Sequence, residues 1–189
     1  MKKEFIITTY SENHIGLTNR ITIIFTRRQV NIESLTGSES ALPGIHKITI
    51  VVNEEEEKVK NIVKQIDKLV DVLKAFYHTN EEMIYQEIAL YKVPTKALLE
   101  SNEIETMIRK HNARILEITP EFTVIEKTGH KEETQELFQE LNKFGVLQFI
   151  RSGRIAITRS RIEKLTEFLK ERDELLLKVE SRNHLRSPL

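Results

Sequence analysis

The feature that most constrains this chain is a change of hydrophobic period that happens twice in the same order. Residues 5–9 form a β-branched run that reads as a first strand. Leu17, Ile21, Ile24 and Phe25 then fall at the spacing of one buried helix face, and the helix stops after Arg27-Arg28, where cations suit the negative end of its dipole. Residues 30–35 return to a two-residue alternation, 36–44 hold the glycines, serines and proline of a turn, and 45–52 alternate again. The acidic run 54–57 reads as the solvated start of a second helix, buried through Val59, Ile62, Val63 and Ile66, and 70–77 is a fourth strand. Strand, helix, strand, strand, helix, strand is the split β-α-β pattern, the ferredoxin-like arrangement.

The polar, unperiodic residues 78–82 mark a boundary, and the order then repeats. Residues 84–93 are a strand closed by Pro94, and 95–112 are a helix with Ile104, Met107, Ile108 and His111 on one face. Strands at 114–119 and 122–127 meet near Pro120. A helix over 132–143 buries Thr134, Leu137, Phe138 and Leu141, with Gly145 after its end, and 146–151 closes the unit. Gly153 introduces an added strand at 154–159. From Arg161 a helix carries Ile162, Leu165, Leu169, Leu176 and Val179, its seam interrupted by Arg172; packing against its own domain is favoured over a role in holding a partner. The last residues, 181–189, read as a disordered tail. The expected fold is therefore α+β: two ferredoxin-like βαββαβ domains at 1–79 and 83–159, then a C-terminal helix and tail at 160–189.

Between the first strand and the first helix lies the stretch with most chemical content. Its loop has one glycine, Gly16, where the helix begins, so a ligand can approach the backbone with no Cβ in the way. Free N–H groups in a first helical turn suit a carboxylate, and the amide oxygens of Asn13 and Asn31 suit an ammonium group. A free amino acid carries both charges. On spacing alone, the same residues also serve as an ordinary turn and helix start.

Composition excludes several functions. The 189 residues hold 29 Lys plus Arg against 29 Asp plus Glu, so no net charge draws the chain to nucleic acid or membrane. There is no cysteine, hence no disulfide or thiolate chemistry. Six histidines are scattered without ligand spacing, and no nucleophile-elbow, dinucleotide or phosphate-loop motif occurs, so neither a catalytic site nor a metal site is read. Strand 45–52 has no aromatic residue for stacking bases, which leaves RNA binding a poor second. Apolar runs are too short to span a bilayer and the N-terminus has no signal-like run, so a cytoplasmic location is expected.

Glu12-Asn13-x-x-Gly16-x-x-x-Arg20, followed by Asn31-Ile32-Glu33-Ser34-Leu35, resembles the opening of the acetolactate synthase small subunit family. Lys68-Leu69-Val70-Asp71-Val72-Leu73, Glu87-Ile88-Ala89-Leu90-Tyr91-Lys92-Val93, Ile118-Thr119-Pro120 and Arg151-Ser152-Gly153-Arg154-Ile155-Ala156 extend the resemblance over roughly residues 5–159. The resemblance implies an ACT domain that binds a branched-chain amino acid between two copies side by side. Its matching positions are Asn13, Gly16 and Asn31, the last from the second strand of the opposite protomer. His14, Ile15 and Leu17 are neighbours in the same turn. His14 is either an effector contact or an exposed loop residue, and Ile15 and Ile32 either wall an aliphatic side chain or pack in the core. The resemblance further implies a homodimer that activates a catalytic large subunit and confers feedback inhibition by valine, leucine or isoleucine. Thiamine diphosphate, magnesium and FAD are then expected on that partner and none on this chain. A free-standing amino-acid sensor with another client is the alternative. Leu17 where the family often has valine, and Thr18-Asn19 where it often has Leu-Ser, both lie beside the implied pocket and leave the effector open.

Overall fold

The computed structural model describes the backbone of residues 1–100 and 102–184, and side chains as far as 174. The first unit runs β1 (Lys3–Glu12), α1 (Leu17–Arg27), β2 (Ser34–Glu39), β3 (Ile45–Glu54), α2 (Glu56–Ile66) and β4 (Val72–Thr79). Its antiparallel sheet has the order β2-β3-β1-β4, so β2 is an edge. Alternation in β1 sorts the side chains: Phe5 and Ile7 point to the helices, whereas Ile6, Thr8 and Tyr10 point the other way. Phe5, Ile7, Ile50 and Val52 meet Leu17, Ile21 and Phe25 of α1 and Val59, Ile62 and Ile66 of α2 in one core. Each fully buried side chain of this kind contributes about 1.5–3 kcal/mol.

A short 3-10 turn, Asn80–Glu82, leads into the second unit. It comprises β5 (Met83–Pro94), α3 (Thr95–Glu100), α4 (Glu103–Lys110), β6 (Arg114–Ile118), β7 (Phe122–Gly129), α5 (Lys131–Leu141) and β8 (Gln148–Arg151). The order β6-β7-β5-β8 repeats that of the first sheet, and Ala89, Tyr91, Val93, Ile104, Ile125, Leu137 and Leu141 form its core. A ninth strand, β9 (Ile155–Thr158), pairs with the first four residues of β5, and α6 (Lys164–His184) follows. The two α+β units and the terminal helix agree with the fold class read from the pattern.

Several local expectations change. The second strand begins at Ser34, so Asn31 and Ile32 lie in the connection before it. Gln29 adopts a left-handed φ of 53°, and Val30 donates its N–H to the Phe25 carbonyl oxygen at 3.0 Å, so the chain closes the helix before it turns. Val30 and Ile32 alternate like a strand because both pack on the core. Glu54 ends β3 instead of starting a solvated helix: it is buried and takes Lys58 at 3.1 Å and Lys2 at 3.2 Å. The helix expected over 95–112 is two helices, with residue 101 outside the described residues. The tail expected at 181–189 is helical through His184, and 185–189 lie outside the described residues.

The two units meet through the face of the first sheet turned away from its helices. Ile6 and Val51 pack there against Met83 and Ala156. Lys47 Nζ donates to the Ala156 carbonyl oxygen at 3.0 Å. Arg154, itself buried, binds Glu4 at 2.7 Å and Glu87 at 3.1 Å and lies 4.1 Å from the Tyr85 ring centre. At Gly153 a Cβ would strike Thr36 Oγ1 and sit 3.3 Å from the Leu35 carbonyl oxygen, so only glycine lets this turn approach β2 so closely. The start of α6 uses the same face: Tyr10 and Lys47 both engage Glu163 just before it, and Lys74 Nζ lies 5.2 Å from the Phe168 ring centre. The start of α6 thus meets the first unit as well as Met83 and Thr158 of the second, the unit that the pattern favoured.

Candidate functional site: the Gly16 turn and the Asn31 connection

The turn between β1 and α1 is built by three backbone bonds. His14 N–H donates to the Glu12 carbonyl at 3.1 Å, Leu17 N–H to the His14 carbonyl at 3.2 Å, and Arg20 N–H to the Gly16 carbonyl at 3.1 Å. Gly16 is the N-cap of α1 at φ 82°, a left-handed conformation that disfavours any side chain. No side chain caps this helix end and its first turn carries no acidic residue. The positive end of the dipole therefore faces outward, and a Cβ at Gly16 would find no atom of the described residues within 4 Å. That arrangement suits an arriving carboxylate.

The residues singled out in the sequence take different places. Asn13 and His14 are exposed on the turn, and Ile15 is fully exposed. The Leu17 side chain is 3 % exposed and belongs to the core, so its share in the turn is its backbone. Asn31 is exposed and its amide donates to Glu33 at 3.2 Å, while Ile32 is half-buried against the core. Asn13 to Leu17 stand at one end of α1, and Asn31 and Ile32 follow the other. The eleven residues of the helix separate them by about 16 Å. One chain does not bring the two groups together.

Two residues outside that set tie the turn down. Asp71, in the loop before β4, takes His14 Nδ1 at 2.9 Å and the Arg20 guanidinium, and its backbone carbonyl accepts from Glu12 N–H at 3.1 Å. His14, and Arg20 after it, hold the Asp71 carboxyl below the usual carboxylate range. His14 Nε2 also lies 3.5 Å from Glu12. Arg20 and Asp71 both stand within the stretches that carry the family resemblance, which was the available signal, but their pairing joins positions far apart in sequence. Two clefts, of about 560 and 340 Å³, lie between the units, away from the Gly16 turn; the larger takes in Glu33, Ser34, Leu35 and the residues around Gly153.

Comparisons with known proteins give this geometry a context. The family model for the AHAS small subunit-like ACT domain matches residues 7–74, and that for the small subunit of acetolactate synthase matches 86–160. The acetolactate synthase small subunit of Bacillus subtilis is 34% identical over 160 residues, which is 84% of this chain and 92% of that protein. A probable acetolactate synthase small subunit of Methanothermobacter thermautotrophicus is 31% identical over 82% of this chain and 92% of its own. The crystal structure of the small subunit from Thermotoga maritima superposes with a TM-score of 0.76 at 27% identity, covering 85% of this chain and 99% of that one. The repeated sheet order, the open glycine turn and these matches lead to one conclusion: the chain belongs to the acetolactate synthase small subunit family, with an ACT domain as its first unit.

Proposed function

We propose that this chain is a regulatory subunit that activates a catalytic acetolactate synthase large subunit and makes it sensitive to a branched-chain amino acid. The observation that carries the sensing half is the separation just described. The Gly16 turn and the Asn31 connection stand at opposite ends of α1, and a second copy packed side by side brings the turn of one chain to Asn31 of the partner subunit. The effector carboxylate meets the backbone at the Gly16 end of α1, and its ammonium group meets Asn13 and Asn31 of the partner subunit. Ile15 and Ile32 supply apolar contact. The free edge of β2 supports such pairing.

Coupling to the large subunit follows from what Asn31 is attached to. The connection runs straight into β2, whose Leu35 and Thr36 touch the turn at Gly153, next to Arg154. An effector that draws Asn31 into an interface biases the contact between the two units, and the large subunit reads that bias by linkage. Thiamine diphosphate, magnesium and FAD are assigned to the large subunit and none of them to this chain. The setting is the cytoplasm, where the branched-chain pathway runs.

Calorimetry with valine, leucine and isoleucine tests the site: Asn31→Ala abolishes the binding seen in the wild type, and unchanged binding removes Asn31 from it. Pull-down and activity assays with a thiamine-dependent large subunit test the partner. A dimer that binds an amino acid but neither joins nor stimulates such a subunit would instead be a sensor for another client.

A further inference from the structure

We propose that His111, Glu136 and Glu140 form a binding site for a divalent transition-metal ion of the zinc type. The site lies on the outside of the second unit, where the end of α4 meets α5. Glu136 and Glu140 are four residues apart and share one face of α5. His111 is the C-cap of α4, and its carbonyl accepts the buried Lys127 ammonium at 2.8 Å, which fixes the backbone there. Ligand atoms of the three residues lie within 4.8 Å of one another.

The independent observation is the imidazole itself. His111 is 8 % exposed, and its Nε2 is buried with no hydrogen-bond partner among the described residues. Leaving such a nitrogen unsatisfied is costly, so it calls for an acceptor, a donor or a metal. Glu140 Oε2 lies 3.2 Å from it, within ion-pair distance of a protonated imidazole but out of hydrogen-bonding geometry. Two atoms that share one tetrahedral zinc, with bonds of 2.0–2.2 Å, stand about 3.3 Å apart and point at the metal instead of at each other. The pair thus has the spacing of two ligands on one ion. One imidazole and two carboxylates form a mixed nitrogen–oxygen donor set that leaves a position for water.

The charge that an ion would supply is now supplied by Lys110. Its Nζ lies 2.6 Å from Glu140 and 3.9 Å from Glu136, and its side chain is half exposed. A metal entering the site displaces this ammonium toward solvent. Lysine and metal therefore compete, which separates a metal site from an ion-pair cluster.

The experiment uses the full, untagged chain, stripped with chelator and titrated with Co²⁺ and Zn²⁺. Co²⁺ gives visible absorption bands of a tetrahedral site at one equivalent, and Zn²⁺ at a hundredfold excess over its dissociation constant raises the melting temperature by about 5–10 °C. Lys110→Ala tightens binding, by about tenfold, through loss of the competing cation. Glu136→Gln, on the exposed side of the site, weakens it, and His111→Gln abolishes the bands while far-UV circular dichroism reports whether the fold is kept. His14→Gln leaves the bands unchanged. No visible band and no thermal shift in either wild type or Lys110→Ala would overturn the proposal. So would bands that survive both His111→Gln and Glu136→Gln.

Discussion

Acidification should loosen the contact between the first sheet and the start of α6, and His78 is the group through which it acts. This histidine sits on β4 opposite Ile6, on the sheet face that Met83 and the residues before α6 cover, and it is 4 % exposed. Its Nδ1 is buried without a hydrogen-bond partner. Burial first, and then the charge of Lys164, push its pKa down from 6.5 to about 4; Glu82 opposes this by more than Lys47 adds to it. The folded state thus keeps His78 neutral, whereas the unfolded chain takes up a proton near pH 6.5. The contribution to stability is whole above pH 6.5 and is lost as pH falls toward 4. At about 1.4 kcal/mol per pH unit over that window, the loss is at most about 3 kcal/mol. Urea unfolding of wild type and His78→Gln at pH 7, 6, 5 and 4.5 measures it. Between pH 7 and 4.5 the wild type should lose about 2–3 kcal/mol, and the variant less than half as much. Parallel losses in the two proteins would refute the assignment of this window to His78. The carboxylates held low by their partners, among them Glu4 and Asp71, give way in a lower window, as pH falls below about 4.5.

Other substitutions test the junction and the turn. Arg154→Ala empties a buried site while Glu87 keeps Arg151 at 3.0 Å and Glu4 keeps Asn80 at 2.8 Å, so it should cost about 1–3 kcal/mol in chemical unfolding; a loss well above that would contradict these remaining partners. Gly153→Ala should cost about 1–3 kcal/mol by pushing the turn off β2, with Thr36→Ala relieving part of the collision; equal stability of the single variant and wild type would contradict that close approach. Gly16→Ala meets no atom of the described residues, so its cost is backbone strain alone, about 1–2 kcal/mol by thermal melting, and a larger loss would mean that a side chain packs against the turn.

Which parts of this architecture could be read in advance follows from what local periodicity records. The faces of α1 and α2 were legible because Leu17, Ile21, Ile24 and Phe25, and Val59, Ile62, Val63 and Ile66, all enter one core. β2 was misplaced because Ser34–Glu39 is a polar edge strand held by main-chain pairing with β3, whereas Val30 and Ile32 imitate a strand from the connection before it. Nothing local marks His78 as buried, since the residues that cover it come from β5 and the approach to α6. The candidate turn was visible through Asn13, Gly16 and Arg20. Its anchoring by Asp71 was not, because that ion pair joins two loops brought together only by the pairing of β1 with β4. His111 had been placed on a buried helix face correctly, but its two carboxylate neighbours belong to a helix twenty-five residues away.

Subunit mixing offers the most direct test of the central claim that an amino acid is held between two copies of this chain. Asn13→Ala removes the turn's half of each site and Asn31→Ala removes the other half, so either chain alone should bind no branched-chain amino acid in calorimetry. Mixed and re-equilibrated in equal amounts, they form dimers in which the intact turn of one chain faces an intact Asn31 of the partner subunit. Binding should then return at about a quarter of the wild-type number of sites with wild-type affinity. A mixture that stays as silent as its two components, while mixed dimers are shown to form, would contradict a shared site.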